Sequence, residues 1–307
     1  VTATPTGVLI GRLTPGTPEW DAARTGPVIT ATRIAAVMGL SPWESRFSLY
    51  HRLRGEVADS FTVSPEMEWG TRHELAIAKK WADTHPGQRV EETGTWRHRT
   101  RPWQRATPDR LLTPASLTAA PGWTIADTEV LELKFSPMGD GWGPDGSDGI
   151  PIYYRCQVMW QLDTLGLHVG RVAVLIGGYD YRTYTVQYDE ADADLLRTRA
   201  REFLDDVEAG RRPDIDGHTA TYDTVRRLPA GLDDIDVQID PALRDRYFAA
   251  LAADSATGAE LTECRSLILD QIGTGHRAAV GKQRVATRTV RDGETHSLLP
   301  TRDRTPA

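Results

Sequence analysis

The octapeptide "VLELKFSP" at 130–137 sets an acid and an amine two places apart on a short apolar run. Side chains alternate across a strand, so Glu132 and Lys134 share one face with Val130, while Leu131, Leu133 and Phe135 take the other. A solvated ion pair at a sheet edge would account for that spacing alone. Twenty-three residues upstream of Glu132 stands Asp109, in "TPDR", just ahead of the apolar pair Leu111-Leu112. On an adjacent strand its carboxylate would meet that of Glu132. A hard divalent cation takes oxygen ligands, and Mg²⁺ is satisfied by a few carboxylates plus several waters. Asp109, Glu132 and the main-chain carbonyl of Leu133 could supply such oxygens. Lys134 beside them could orient or deprotonate an attacking water while offsetting charge on a phosphate. This is the spacing a phosphodiester-cleaving site needs, although many chains contain it by chance.

The elements that must position these residues read as follows. Short helices are expected at Asp21–Arg24, at Arg33–Met38 behind Thr32 as cap, and at Ser45–Arg54 ahead of Gly55. "PEMEWGTRHELAIAKKWADTHPG" is a longer amphipathic helix, with Leu75, Ala78 and Trp81 at helical spacing and a Pro86-Gly87 stop. Strands follow in "QRVEETGTW", "WQRAT", "RLLT" and "TEVLELKF"; then come a Gly/Asp-rich loop and a helix, "IYYRCQVMWQLDTLG", ended by Gly166. A hairpin turning at Gly177–Asp180 and a helix closed by Gly210 complete an α+β layer arrangement. The order places a core domain at 1–212, a polar linker at 213–235 broken by Pro and Gly, and an accessory region at 236–307 of two helical pieces followed by short strands.

Composition narrows the classes. With 307 residues, 39% hydrophobic and 26% charged, the chain suits a soluble globular protein of one or two domains. No apolar stretch reaches the ~20 residues of a membrane span. The opening segment lacks the charged and apolar regions of a signal peptide, and Cys156 and Cys264 are too few for a disulfide framework; a reducing, cytoplasmic setting is expected. The net charge of −7 does not advertise a nucleic-acid binder. Yet 95–110 concentrates Arg97, Arg99, Arg101, Arg105 and Arg110 against a single acid, either as a solvated hairpin or as a local polyanion contact.

Taken in order, the blocks resemble a known family. "TPEWDAARTGPVITATRIAAVMGLSPW", "EWGTRHELAIAKKW", "TPDRLL", "LELK" and "PIYYRCQVMWQLDTLG" look like the ordered motifs of lambda-type phage exonucleases and YqaJ-like viral recombinases, within the PD-(D/E)XK nuclease superfamily. The second block resembles the helix whose G-x-x-x-E places a carboxylate at the metal, here Gly70 and Glu74. The third stands where the family has S-P-D-G-L, with Arg110 in place of the glycine. The fifth resembles P-x-x-Y-x-x-Q-V-Q, with Gln157 at the first Gln, Met159 at the second, and Gln161 one turn from Gln157 on the same helix face. The resemblance spans about 15–210 and implies a nuclease core of mixed central β-sheet flanked by helices, with a C-terminal helical and β extension.

It also implies roles. Asp109, Glu132 and the Leu133 carbonyl would hold Mg²⁺, with Mn²⁺ able to substitute and Glu74 nearby or acting through water. Lys134 would position and activate the water, and Gln157 would orient Lys134 or the scissile phosphate. Arg24 and Thr32 would form a pocket for the 5′-phosphate of the digested strand, with Thr in place of the commoner Ser. His73, beside Glu74, is expected to be a bystander, since Mg²⁺ seldom recruits imidazole. The tryptophans are expected mostly in the core, with Trp43 and Trp103 as candidates for base stacking. The implied activity is 5′→3′ exonuclease digestion of double-stranded DNA ends, leaving a 3′ strand for a single-strand annealing protein. A homo-oligomeric, trimeric ring and a cytoplasmic location, that of the host if phage-encoded, go with it. The alternatives are a cluster-free endonuclease or repair nuclease of the same superfamily, and a non-catalytic DNA-end-binding protein on a degenerate nuclease fold.

Overall fold

Strand 129–136, which carries the acid–lysine pair, is buried on both faces: Val130, Leu131, Glu132 and Leu133 are all sealed from solvent. A solvated ion pair at a sheet edge is therefore excluded, and Glu132 lies 1% exposed inside the protein. The strand is central, with neighbours on both sides. The computed structural model describes residues 6–13, 17–57, 64–116, 127–228, 231–253 and 258–301.

In chain order the elements are β1 (Gly7–Gly11), α1 (Pro18–Ala22), β2 (Ile29–Thr30), α2 (Ile34–Val37), α3 (Arg46–Leu53) and α4 (Pro65–Thr84). The strands β3 (Gln88–Glu92), β4 (Thr95–His98), β5 (Gln104–Ala106), β6 (Arg110–Pro114) and β7 (Glu129–Ser136) follow. Next come α5 (Ile152–Leu165), β8 (Val169–Ile176), β9 (Asp180–Gln187), α6 (Glu190–Ala209) and α7 (Thr219–Arg227). The last are β10 (Asp233–Gln238), α8 (Pro241–Ala252), α9 (Gly258–Ile272), β11 (Gly275–Val280), β12 (Gln283–Arg291) and β13 (Glu294–Pro300).

These divide into two compact units, Val1–Leu40 with Ser60–Glu208, and Ser41–Asp59 with Ala209–Ala307. The first holds a sheet of order β3-β6-β7-β8-β9 and a smaller one of order β1-β4-β5-β2. In the larger sheet β6 pairs antiparallel with β7 (Arg110 opposite Leu131), whereas β7 and β8 run parallel (Glu132 opposite Val172). A parallel pair needs a long crossover, which α5 provides. The fold is thus α+β, a mixed central sheet with helices against it. From α4, Ile77, Ala78 and Trp81 pack on Leu112, Leu131 and Leu133. Ala78 and Trp81 are buried as expected, whereas Leu75, expected on the same stripe, is 71% exposed and Ile77 is buried in its place. Gly166 ends α5 in the left-handed conformation (φ 76°), and Gly210 (φ 71°) does the same after α6.

The second unit sets a sheet of order β10-β11-β12-β13 beside a core of Phe47, Val225, Ile239, Tyr247, Phe248, Cys264, Ile268, Leu269 and Val285. Phe47 comes from α3, so residues 41–59, read as part of the core domain 1–212, pack with the C-terminal chain. The stretch 213–235, read as a linker, contains α7, whose Thr221, Thr224 and Val225 are buried. Of "SATG" (255–258), expected to divide the two C-terminal helical pieces, residues 255–257 lie outside the described residues.

Two helix starts differ from the expected ones. α1 begins at Pro18, because the Thr17 side chain accepts from Trp20 N (3.3 Å) and caps it. Thr32 is not a cap for α2; its hydroxyl is engaged by Thr30 and Arg24.

Candidate active site

Pairing of β6 with β7 brings Asp109, the residue before β6, to the middle of β7. The Leu133 N–H donates to Asp109 Oδ2 at 2.7 Å. Asp109 and Glu132 therefore converge from adjacent strands, with the main chain of Leu133 between them. Glu132 is buried and Asp109 half-buried, and the charge of Glu132 is felt at Asp109. Burial, and then Glu132, push the Asp109 carboxyl well above the usual carboxylate range, with Lys134 acting against them.

Glu132 Oε1 accepts from both Lys134 Nζ and Gln157 Nε2, and Oε2 accepts from Gln161 Nε2 at 2.7 Å. Burial alone would favour a neutral Lys134, but Glu132 and Asp109 outweigh it and hold the ammonium charged far into the alkaline range. Lys134 also lies over the Tyr154 ring, 4.9 Å from its centre. Tyr154, Gln157 and Gln161 are at i, i+3 and i+7 on α5, one helix face turned to one carboxylate. Gln157 touches Glu132, whereas the expectation was contact with Lys134 or the phosphate. Tyr154 was not singled out from the sequence, although its spacing from Gln157 was a legible signal.

The donor set suits a hard cation. Each carboxylate oxygen can accept two bonds. Glu132 Oε2 accepts one, and Asp109 Oδ1 accepts none among the described residues. Two carboxylate oxygens with unused lone pairs, one on each acid, form a place where a divalent ion would offset the repulsion between them. Among the described residues no group of three or more His, Cys, Asp or Glu side chains is placed to hold a metal ion, so an ion here would rest on two carboxylates, a carbonyl and water. Glu74, on α4, is held by Arg110 Nη1 at 2.7 Å, and the same nitrogen donates to the Asp109 carbonyl at 2.5 Å.

Arg24 and Thr32 also meet, Nη2 to Oγ1 at 3.2 Å, and Thr30 adds a second hydroxyl 3.0 Å from Thr32. The Arg24 guanidinium lies 4.4 Å from the centre of the Trp20 ring. Arg33 Nη1 and Arg105 Nη1 hold the carbonyls of Arg24 and Ala23, which fixes the turn carrying Arg24. Helix α5 ties this corner to the acid pair: Trp160 Nε1 donates to the carbonyls of Ile29 (3.3 Å) and Arg105 (3.2 Å), three residues from Gln157.

Other sequence candidates fall elsewhere. His73 stacks on Phe135 (4.5 Å between ring centres) and against Trp69 (5.6 Å), packing rather than ligating. Trp103 tilts against Trp160, and Trp43 lies exposed in the second unit. The basic stretch is not a uniform polyanion surface. Arg101 pairs with Asp163, Arg105 with a carbonyl and Arg110 with Glu74. Asp163 was missed from sequence; it gathers Arg101, Gln104, Tyr188 and Arg197 beside a cleft of about 360 Å³ that excludes the acid–lysine group.

A mixed sheet that brings an Asp, a Glu and a Lys together at two adjacent strands, backed by two glutamines of α5, defines an α+β domain with a buried acid–lysine centre. Residues 19–168 match the YqaJ-like viral recombinase domain, so the family resemblance read from the sequence blocks holds over the segment that carries every residue of this site. A protein of Bacillus subtilis (strain 168), uncharacterised protein YqaJ, is 25% identical over 197 residues, covering 62% of this chain and 57% of that one. This chain thus spans little more than half the length of that curated relative. Among solved structures, an alkaline exonuclease from Laribacter hongkongensis aligns with a TM-score of 0.47 at 22% identity, over 63% of this chain and 94% of that one. A phage-related exonuclease from Haemophilus somnus 129PT aligns with a TM-score of 0.42 at 12% identity, over 60% and 96%. Among the described residues no helix is long and apolar enough to cross a membrane.

Proposed function

We propose that this protein is a Mg²⁺-dependent exodeoxyribonuclease that digests one strand of linear duplex DNA from its 5′ end and leaves a 3′ single strand. The observation that carries this reading is the convergence of Asp109, just before β6, with Glu132 and Lys134 of β7, with acceptor capacity left on both acids. Asp109 Oδ1, Glu132 Oε2 and the Leu133 carbonyl are the oxygens that would hold the ion. Once bound, a divalent ion supplies Lewis acidity to the scissile phosphate and eases ionisation of water. Lys134, kept as an ammonium by its carboxylate neighbours, donates to the water and offsets charge as it builds on the phosphate. Orienting and electrostatic work therefore suits it better than taking a proton. Gln157 and Gln161 fix the rotamer of Glu132, so that its free lone pair keeps one direction. Arg24 and Thr32 offer a guanidinium fork and a hydroxyl to a terminal 5′-phosphate. The product strand calls for a single-strand annealing partner, and a ring-shaped homo-oligomer would keep the enzyme on its duplex.

The test uses linear duplex labelled at either end, with 5′-phosphate or 5′-hydroxyl, in Mg²⁺ or chelator. Label should leave the 5′ end first, only with metal, and faster from the phosphorylated substrate. Lys134→Ala should lower turnover by about 10³-fold, roughly 4 kcal/mol of barrier. Arg24→Ala should shrink the preference for phosphate. Full activity in chelator, or near-normal turnover of Lys134→Ala, overturns the site; equal rates on the two 5′ ends overturn the pocket.

A further inference from the structure

Arg110 is the residue at this site whose presence the resemblance does not explain, because the matching motif has glycine there. Its position is specific. One guanidinium nitrogen, Nη1, donates both to Glu74 Oε1 (2.7 Å) and to the Asp109 carbonyl (2.5 Å). The Arg110 side chain is 14% exposed and that of Glu74 33%, so the pair lies at the edge of the buried group and not on open surface. Glu74 is also close enough for its charge to act on Asp109. With all groups ionised, the carboxylates of Asp109, Glu132 and Glu74 face the cations Lys134 and Arg110, which leaves the cluster one charge negative.

Two consequences follow from that balance. One divalent ion makes the centre singly positive, matched to one phosphodiester charge. A second would have to displace Arg110 from Glu74, since a carboxylate engaged by a guanidinium at hydrogen-bond distance is a poorer ligand and the added charge is repelled. Glycine at 110 would remove both obstacles. Glu74 would then be released beside Asp109, and the cluster would be two charges negative.

Building on the metal-dependent reading above, we propose that Arg110 is a positioning residue that stands in for a second cation: it holds Glu74 and limits the centre to one divalent ion. The experiment is calorimetric titration of the full chain with Mn²⁺, with metal counted by bound-ion analysis, alongside the Mg²⁺ dependence of duplex digestion. Wild type should bind one ion, and its rate should rise to first order in Mg²⁺. Arg110→Gly should bind two and show an order near two. Arg110→Lys should keep one, and Arg110→Gly/Glu74→Gln should return to one. If Arg110→Gly fails to fold, Arg110→Gln, similar in length and uncharged, carries the same expectation. Two ions in wild type, or one ion at unchanged affinity in both Arg110 variants, overturns the inference and leaves the nuclease reading intact. No uptake by wild type overturns both. The expected ion counts without any duplex digestion uphold the role of Arg110 and sink the nuclease reading.

Discussion

At the residue scale, buried polar atoms are accounted for one lone pair at a time, and that accounting separates working groups from structural ones. His98 is a structural case. It is buried, and its Nδ1 accepts the N–H groups of Thr100 and Arg101, each at 3.2 Å, so the ring must be unprotonated there. Burial, helped by the charge of Arg101, lowers its pKa from 6.5 to about 4. Below pH ~6.5 the unfolded chain gains a proton that the folded chain refuses until pH ~4, so stability is full above that window and falls as the pH drops through it. His98→Asn keeps an acceptor without titrating. Urea midpoints measured from pH 7 to 5 should decline less steeply in the variant; parallel declines would remove His98 as the cause. The acid–lysine group was legible in the sequence because "TPDR" and "LELK", weak as single motifs, stand in order among five blocks. Arg110–Glu74 and the Asp163 cluster were not, since their partners lie 25 to 62 residues apart and no short-range pattern encodes them.

At the scale of elements, α5 sets the geometry of the site. One face brings Tyr154, Gln157 and Gln161 to β7, and Trp160 anchors the turn near Arg24. The helix must lie close to the sheet for side chains as short as Gln to reach Glu132. Gly170 on β8 permits this: a Cβ there would run into Val158 Cγ1 of α5. Gly170→Ala should therefore destabilise the protein by about 1–3 kcal/mol through overpacking. Adding Val158→Ala should make the double variant more stable than the sum of the single losses, because the removed methyls vacate the space. Urea unfolding of the four proteins checks this, and strict additivity would show that the two positions do not compete for one volume. The strands and this helix were readable from alternation and from the Gly166 stop. The apolar face of α4 was legible at Ala78 and Trp81, and only its first member differs: Ile77 is buried where Leu75 was expected, since periodicity alone admits either.

At the scale of the whole chain, the division into units is discontinuous, and sequence order alone hides it. Composition marks a change after the helix that ends at Gly210, which invites a cut in the 213–236 region. Yet α3 contributes Phe47, Leu49 and Tyr50, all buried, and Phe47 belongs to a core otherwise made of residues from 225 onward. Ser45 caps α3 in a reciprocal capping box with Ser48, and the hydroxyl of Thr221 on α7 donates to Ser45 Oγ at 2.7 Å, so the cap itself is shared with the C-terminal chain. Removing everything from Asp236 would leave α3 and α7 without most of the apolar surface they pack against. Such a truncation should be insoluble or should expose a large apolar patch, read as strong dye binding. A shorter protein that ends at Glu208 and replaces residues 41–59 with a flexible Gly/Ser connection removes the second unit entire. It should be soluble, keep a cooperative thermal transition, and take up Mn²⁺ as the full chain does, because Asp109, Glu132, Lys134 and α5 all remain. A soluble, cooperatively folded product from the simple cut at 236, with the internal replacement aggregating, would show that residues 41–59 belong to the first unit after all.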